Sequence, residues 1–200
     1  MLAPIPIHTI VLHVGPHVDE IAALFILRSF GESVFPGIKN AKLLFVDASS
    51  MPGDGQSEKD GYLAVGVWRG RLDEHPGETQ GRKEGESACS LVLKALGLEQ
   101  VPVLAKISEA VTVEDLGGRS RELNLGGCGS HLHRKYRNKP MQVIGWTSHA
   151  LTAIYEALCA ETDLKGVSVS LDLASCVKYL DRKYPNNSAE VKRWENFALD

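Results

Sequence analysis

Apolar residues along the chain form short strand-like runs and longer helix-like repeats, and the first two of these flank a polar turn. Residues 10–12 are a β-branched-rich apolar run that predicts a buried strand. After a turn at Gly15 and Pro16, apolar positions recur with helical spacing as far as Phe30, where Gly31 is a natural stop. A strand followed by a polar turn and a helix is how the ligand site of an α/β protein usually begins.

The same patterns predict the elements further along the chain. Short apolar runs predict strands, and apolar residues at helical spacing predict helices. We predict strands over 43–46 and 62–67, and helices over 87–96, 101–114, 144–160 and 173–184. Residues 117–140 are rich in glycine and cations, which predicts a loop. Strands interspersed with helices predict an α/β protein.

Composition narrows the class of protein. The chain has 200 residues with 44% hydrophobic and 24% charged, which predicts one globular domain over 1–200 and argues against disorder. A formal net charge of -3 does not by itself indicate a nucleic-acid binder. The four cysteines are widely separated and form no Cys-x-x-Cys pair, which favours a reduced compartment. The apolar start lacks the features of a signal peptide, so we expect a cytoplasmic protein with no membrane partner.

The turn after the first predicted strand carries candidate metal ligands. His13, His17 and Asp19 fall within one short segment that Gly15 and Pro16 bend, so their side chains can converge on one point. Imidazole nitrogen with carboxylate oxygen suits Mn²⁺, Fe²⁺ or Zn²⁺ rather than Ca²⁺. For any one of these residues, a role in capping the turn or the helix is the simpler interpretation. For all three at this spacing we favour a metal site.

A second group of candidates follows the third predicted strand. Asp73 and His75 alternate, so in extended backbone they point to the same side, and Glu74 lies between them. Asp115, which precedes two glycines, is a further carboxylate between elements. Taken alone, a charged triplet is usually solvated loop, and Asp115 would be a residue of a helix C-terminal turn. Together with the first segment, these residues indicate one larger site.

The order of these motifs resembles a known superfamily. The segment His13-Val14-Gly15-Pro16-His17-Val18-Asp19-Glu20, then a strand with Val-Gly, then Arg-x-Asp-x-His, then a later Asp, is similar to the DHH phosphoesterases. The most similar branch is the one once called metal-dependent protein hydrolases, which opens with His-x-Gly-x-x-His-x-Asp-Glu. The superfamily includes RecJ-type exonucleases, oligoribonucleases and inorganic pyrophosphatases. The resemblance covers roughly residues 8–118.

The resemblance implies a fold and a chemistry. It implies a DHH-like parallel α/β sheet with helices on both faces, with a core over about 8–118 and a helical C-terminal extension over about 119–200. It implies a Mn²⁺ centre of one or two ions. The residues it makes metal ligands are His13, His17, Asp19, Asp73 and Asp115. Asp73, Glu74 and His75 would be the catalytic residues of its Asp-His-His motif.

The implied activity is a metal-dependent phosphoesterase, of phosphodiesterase or nuclease type. Its substrate would be a small phosphorylated molecule or a short oligonucleotide. Cations are expected to hold the substrate phosphate, and the candidates are Arg71, His131 and Arg134. The last two follow the glycine-rich residues 126–130, which we expect to form an anion-binding loop.

Two other interpretations stay open. The first is a degenerate relative that binds or regulates without catalysis. It is favoured because Glu74 stands where the superfamily's Asp-His-His motif has its middle histidine. The carboxylate that the superfamily carries in a strand, near Ala64 here, is also missing unless Asp47 takes its place. The second is an unrelated metal hydrolase with similar ligands. Metal stoichiometry separates the first of these from the enzyme, since two ions per chain favour hydrolysis.

Overall fold

The buried strand predicted near the N-terminus is the middle strand of a parallel sheet. The computed structural model describes residues 6–75, 85–117 and 125–163. Strand β1 (Thr9–His13) lies between β2 (Lys42–Val46) and β3 (Tyr62–Ala64), and it is parallel to both. The register pairs His13 with Val46, so β1 and β2 end side by side at one edge of the sheet. The α/β class is confirmed.

Helices pack around this sheet, and the described part of the chain after it is helical. They are α1 (Val18–Phe30), α2 (Ala88–Leu96), α3 (Pro102–Asp115), α4 (Leu125–Lys135) and α5 (Pro140–Asp163). Helix α1 packs against the other four, and fully buried residues such as Ile10, Leu27 and Ile107 belong to the same core. Burying each such side chain contributes about 1.5–3 kcal/mol. None of the helices in the described residues has the length and apolarity that crossing a membrane requires.

The other face of the sheet has a smaller apolar cluster. Val11 of β1 packs there with Val67 and Trp68, which follow β3. The partly buried residues around them come from β2 and β3, and no helical residue of the described part belongs to this cluster. Helices on both faces are therefore not confirmed within the described residues.

Local signals explain where most elements begin and end. Ser87 precedes α2 and its Oγ accepts a hydrogen bond from Ser90 N, while Gly97 ends the helix with a φ of +67°. Helix α3 begins at Pro102, a favoured first residue because proline lacks the N–H that would be unpaired there. The helices predicted over 87–96 and 101–114 are confirmed to within a residue.

Four predicted elements differ from the structure or lie outside the described residues. The strand predicted over 62–67 ends at Ala64, because Gly66 has a left-handed φ of +67° that interrupts extended backbone. The helix predicted over 144–160 begins earlier, at Pro140. The loop predicted over 117–140 is wrong in its middle, where α4 forms. The helix predicted over 173–184 lies outside the described residues.

Candidate metal centre

The structure brings together predicted ligands from both ends of the segment that the resemblance covers. His17 immediately precedes α1, Asp19 lies in its first turn, and Asp115 is the last residue of α3. One ligand atom from each lies within 4.8 Å of the others. His17 Nδ1 is 4.0 Å from Asp115 Oδ1, and the His13 and His17 rings meet edge to face with centroids 5.8 Å apart. Residues almost a hundred positions apart thus form one histidine–carboxylate group.

A second group lies in the segment after β3. Asp73, Glu74 and His75 each offer a ligand atom within 4.8 Å of the other two. The two carboxylates are buried and His75 is exposed. His75 Nδ1 is 2.9 Å from Asp73 Oδ1, as expected for alternating residues on the same side. The group is electrostatically linked to the first, because the charge of Glu74 acts on Asp19.

Asp19 is a buried carboxyl group among other acids. Its side chain lies against the start of α2, where Oδ2 accepts a hydrogen bond of 3.1 Å from Ala88 N. Burial, followed by the charges of Asp115 and Glu74, raises the pKa of Asp19 to about 7. A divalent cation would relieve this repulsion and compete with the proton for the same oxygens. The donor set and its surplus of negative charge fit such an ion.

Glu20 fixes the positions of the two histidines through their backbone. Its Oε1 accepts from His13 N at 3.0 Å and its Oε2 accepts from His17 N at 2.8 Å. Burial, followed by the charge of Asp19, raises the pKa of Glu20 well above its ordinary value. Gly66 lies against this side chain, and a Cβ at position 66 would stand 2.9 Å from Glu20 Cγ.

From the sequence, Glu20 was included only as the last residue of the first motif. A signal for its role was present, because a Glu three residues after a residue that precedes a helix is the spacing of a capping box. The role of Gly66 had a weaker signal, since an isolated glycine in a strand pattern suggests close approach of another group. Neither residue belongs to the two metal-type groups of the described residues, but both restrain the backbone that carries the candidate ligands.

The glycine-rich segment that we expected to be an anion-binding loop is part of helix α4. This corrects the prediction for residues 126–130. Glycine suits the helix at position 129, where a Cβ would lie 2.8 Å from Val18 Cγ2. His133 Nε2 donates a hydrogen bond of 2.9 Å to the carbonyl oxygen of Pro16, in the turn that carries the candidate ligands. Helix α4 is thereby held against the start of α1.

The three predicted substrate-binding residues have different positions. Arg134 is exposed on α4, and His131 lies in the same helix with its side chain outside the description. The Arg71 guanidinium pairs with Glu58 at 2.7 and 2.9 Å and lies over the Phe35 ring, 4.8 Å from its centroid. Phe35 comes after α1, at the opposite end of that helix from His17. Arg71 is therefore engaged away from the candidate centre.

Besides Glu74, the sequence departs from the motifs that it resembles at two places. One residue separates Gly15 from His17, where the motif has two. Ala64 ends β3 where the superfamily has a carboxylate. Asp47, the possible substitute, is exposed after β2 and belongs to neither of the metal-type groups found in the described residues.

Comparisons with family models, with curated proteins and with solved structures gave no match. The class that the fold and the residues themselves define is an α/β protein with a histidine–carboxylate centre next to the edge where the parallel strands end.

Proposed function

We propose that this protein is a metal-dependent phosphoesterase with a Mn²⁺-type centre. The observation that carries the proposal is the convergence of His17, Asp19 and Asp115 from the starts and ends of separate helices. Mixed imidazole and carboxylate ligands suit Mn²⁺, and open parallel sheets bind ligands at the carboxyl ends of their strands. The DHH-like fold and the superfamily assignment are part of the same proposal.

The chain's own residues would divide the work as follows. His13, His17, Asp19 and Asp115 would hold the ion, and Asp73, Glu74 and His75 would complete the acidic side of the centre. A bound divalent ion supplies an activated water and stabilises negative charge on the phosphoryl oxygens. Glu20 keeps the backbone at His13 and His17 in place, which limits the reorganisation needed for binding.

The substrate phosphate would be held by cations of α4. The helix packs against α1 and α3, both of which contribute to the centre, and its last turn is basic. We assign Arg134 and His131 to the phosphate, because positively charged side chains stabilise the negative charge of a phosphoryl group during its transfer. Arg71 is left out of this assignment, because Glu58 and Phe35 already engage its guanidinium.

The proposal is tested by hydrolysis of bis(p-nitrophenyl) phosphate and of short oligoribonucleotides by the purified chain with Mn²⁺. We expect turnover that chelation removes and that Asp19→Asn lowers by at least about 100-fold, the scale for losing a charged group from a catalytic centre. Asp54→Asn, which changes an exposed loop carboxylate, is the matched control and should retain turnover.

The alternative is a binding or regulatory protein that keeps the centre without catalysis. Glu74 in place of the family's histidine is the observation that favours it. Tight Mn²⁺ binding with no hydrolysis of either phosphodiester would contradict the enzyme and support this alternative. Hydrolysis that survives both chelation and Asp19→Asn would contradict both.

A further inference from the structure

The Asp73 carboxylate accepts hydrogen bonds from the turn in which it lies. Its Oδ2 accepts from Arg69 N at 2.7 Å, and its Oδ1 accepts from His75 N at 2.9 Å. The His75 ring nitrogen Nδ1 also lies 2.9 Å from Oδ1. Only 3% of the Asp73 side chain is exposed, so it lies under the turn that it closes.

That turn needs such a restraint. Trp68 and Arg69 are consecutive non-glycine residues with left-handed φ angles of 62° and 54°. This conformation costs about 1–2 kcal/mol per residue for residues with a Cβ. By accepting the Arg69 amide, Asp73 stabilises the second of these residues directly. The position of the whole 68–75 segment relative to the centre therefore depends on Asp73.

Glu74 shows the opposite pattern. Its side chain is 1% exposed, and within the described structure its Oε2 has no hydrogen-bond partner. Oε1 lies 3.3 Å from His75 Nδ1. A buried carboxylate oxygen without a partner is destabilising whether or not it is protonated, because an added proton would also need an acceptor. Native proteins rarely leave such an atom unpaired, and an ion is one of the groups that satisfies it.

Glu74, which carries the unpaired oxygen, belongs to the second metal-type group. Glu74 is next to Asp73 and His75 in the second metal-type group, and its charge acts on Asp19 and Glu20 across from it. Asp19, Glu20, Asp73 and Glu74 are all buried, and within the described structure Glu74 is the one among them with a fully buried oxygen that has no hydrogen-bond partner.

We propose that Glu74 is a direct ligand of the divalent cation through Oε2, and that Asp73 is a positioning residue that holds the turn and not a ligand. This inference rests on the metal centre of the proposed function, and it moves the ligand role that the resemblance gives to Asp73 onto its neighbour Glu74. The substitution of glutamate for the family's histidine then replaces a neutral group with an anionic ligand.

The test is Mn²⁺ binding by the full chain, measured by calorimetric titration together with thermal unfolding in the presence and absence of the ion. Glu74→Gln should weaken Mn²⁺ affinity at least about 10-fold or remove one ion, since losing even a supporting partner typically costs 10–100-fold. Its metal-free Tm should stay equal or rise, because glutamine removes a buried charge. Asp73→Asn should lower the metal-free Tm, because an amide NH₂ cannot accept a backbone N–H.

Glu109→Gln is the matched control, since Glu109 is an exposed glutamate on the helix that ends in Asp115. It should leave both measurements unchanged. Glu74→Gln that binds Mn²⁺ as the wild type does would overturn the ligand role. Asp73→Asn with an unchanged metal-free Tm and lost Mn²⁺ binding would overturn the division between the two residues.

Anomalous scattering from Mn²⁺-soaked crystals of the unmodified chain keeps the inference testable if Glu74→Gln does not fold. A peak within bonding distance of Glu74 Oε2 and not of Asp73 supports it. A peak bonded to Asp73 without Glu74, or no peak at this centre, overturns it. Hydrolysis is measured separately, so a metal-binding protein without turnover would sink the proposed function and leave this inference standing.

Discussion

Gly66 faces Glu20 so closely that a Cβ at position 66 would lie 2.9 Å from Glu20 Cγ. Gly66 also has a φ of +67°, a conformation that residues with a Cβ rarely adopt. Because Glu20 accepts the amides of His13 and His17, a side chain at position 66 displaces the group that fixes two candidate ligands.

Gly66→Ala should therefore lower the free energy of unfolding by about 2–4 kcal/mol, from left-handed strain together with overpacking. It should also weaken Mn²⁺ binding. Gly55→Ala is the matched control, since Gly55 has a φ of +71° and a Cβ added there would meet nothing within 4 Å. Its loss should be limited to about 1–2 kcal/mol. Urea unfolding measures both, and equal losses would show that the contact with Glu20 is unimportant.

A second glycine pair tests how α4 packs. Gly129→Ala should lower stability by about 1–3 kcal/mol, because its Cβ would lie 2.8 Å from Val18 Cγ2. Gly145→Ala in α5 should raise stability by about 0.5–1 kcal/mol, because nothing lies within 4 Å and alanine favours a helix. Thermal unfolding compares the two. Val18→Ala combined with Gly129→Ala should recover part of the loss, and no recovery would contradict the packing.

The buried acids of the candidate centre should give the metal-free protein an unusual dependence of stability on pH. Burial, followed by the charges of Asp115 and Glu74, raises the pKa of Asp19 from 3.8 to about 7. Between these values the folded protein holds a proton that the unfolded chain has released. The stability of the metal-free protein should fall as pH rises from about 4 to 7, by up to about 1.4 kcal/mol per pH unit, and then level off.

Burial also raises the pKa of Glu20 and Glu74, and these groups add to the same trend. Unfolding by urea in EDTA across this range measures the slope, and Asp19→Asn should reduce it. Mn²⁺ at pH 8 should restore the stability that deprotonation removes, because the ion binds only the folded chain. Metal-free stability that rises between pH 5 and 7 would be incompatible with this arrangement of acids.

Arg71→Ala tests whether this cation is structural. It should lower the free energy of unfolding by about 1 kcal/mol, the combined scale of an exposed ion pair and a cation–π contact. Mn²⁺ affinity should not change. Glu58→Gln removes the ion pair and keeps the contact with Phe35, so its loss should be smaller. A large drop in Mn²⁺ affinity for Arg71→Ala would place the guanidinium at the centre after all.

Sequence patterns predicted the elements whose apolar spacing and end signals agree. β1, α1, α2 and α3 are of this kind, with Gly31, Gly97 and Pro102 marking their ends. Helix α4 was missed because its glycines are poor helix formers, and contacts with Val18 and Pro16 are what support it. The early start of α5 had a local signal in Pro140, a favoured first residue of a helix.

The sequence predicted which residues form the candidate centre, but it predicted less about the hydrogen bonds that arrange them. Spacing pointed to His17, Asp19 and Asp115, which the structure brings within reach of one another. Unlike the capping-box spacing of Glu20, the hydrogen bonds of Asp73 to backbone amides have no recognised spacing signal. The occupied carboxylate of Asp73 and the unpaired oxygen of Glu74 therefore became visible only in three dimensions.

Asp19 and Asp115 meet although most of the described chain separates them. Any folding intermediate in which α3 has not yet docked lacks both the repulsion between these acids and the complete set of ligands. A chain emerging from the ribosome therefore has no finished centre until its third helix is in place. If a divalent cation binds at this centre, its uptake requires that α3 has docked, and metal binding would then report that the chain is fully folded.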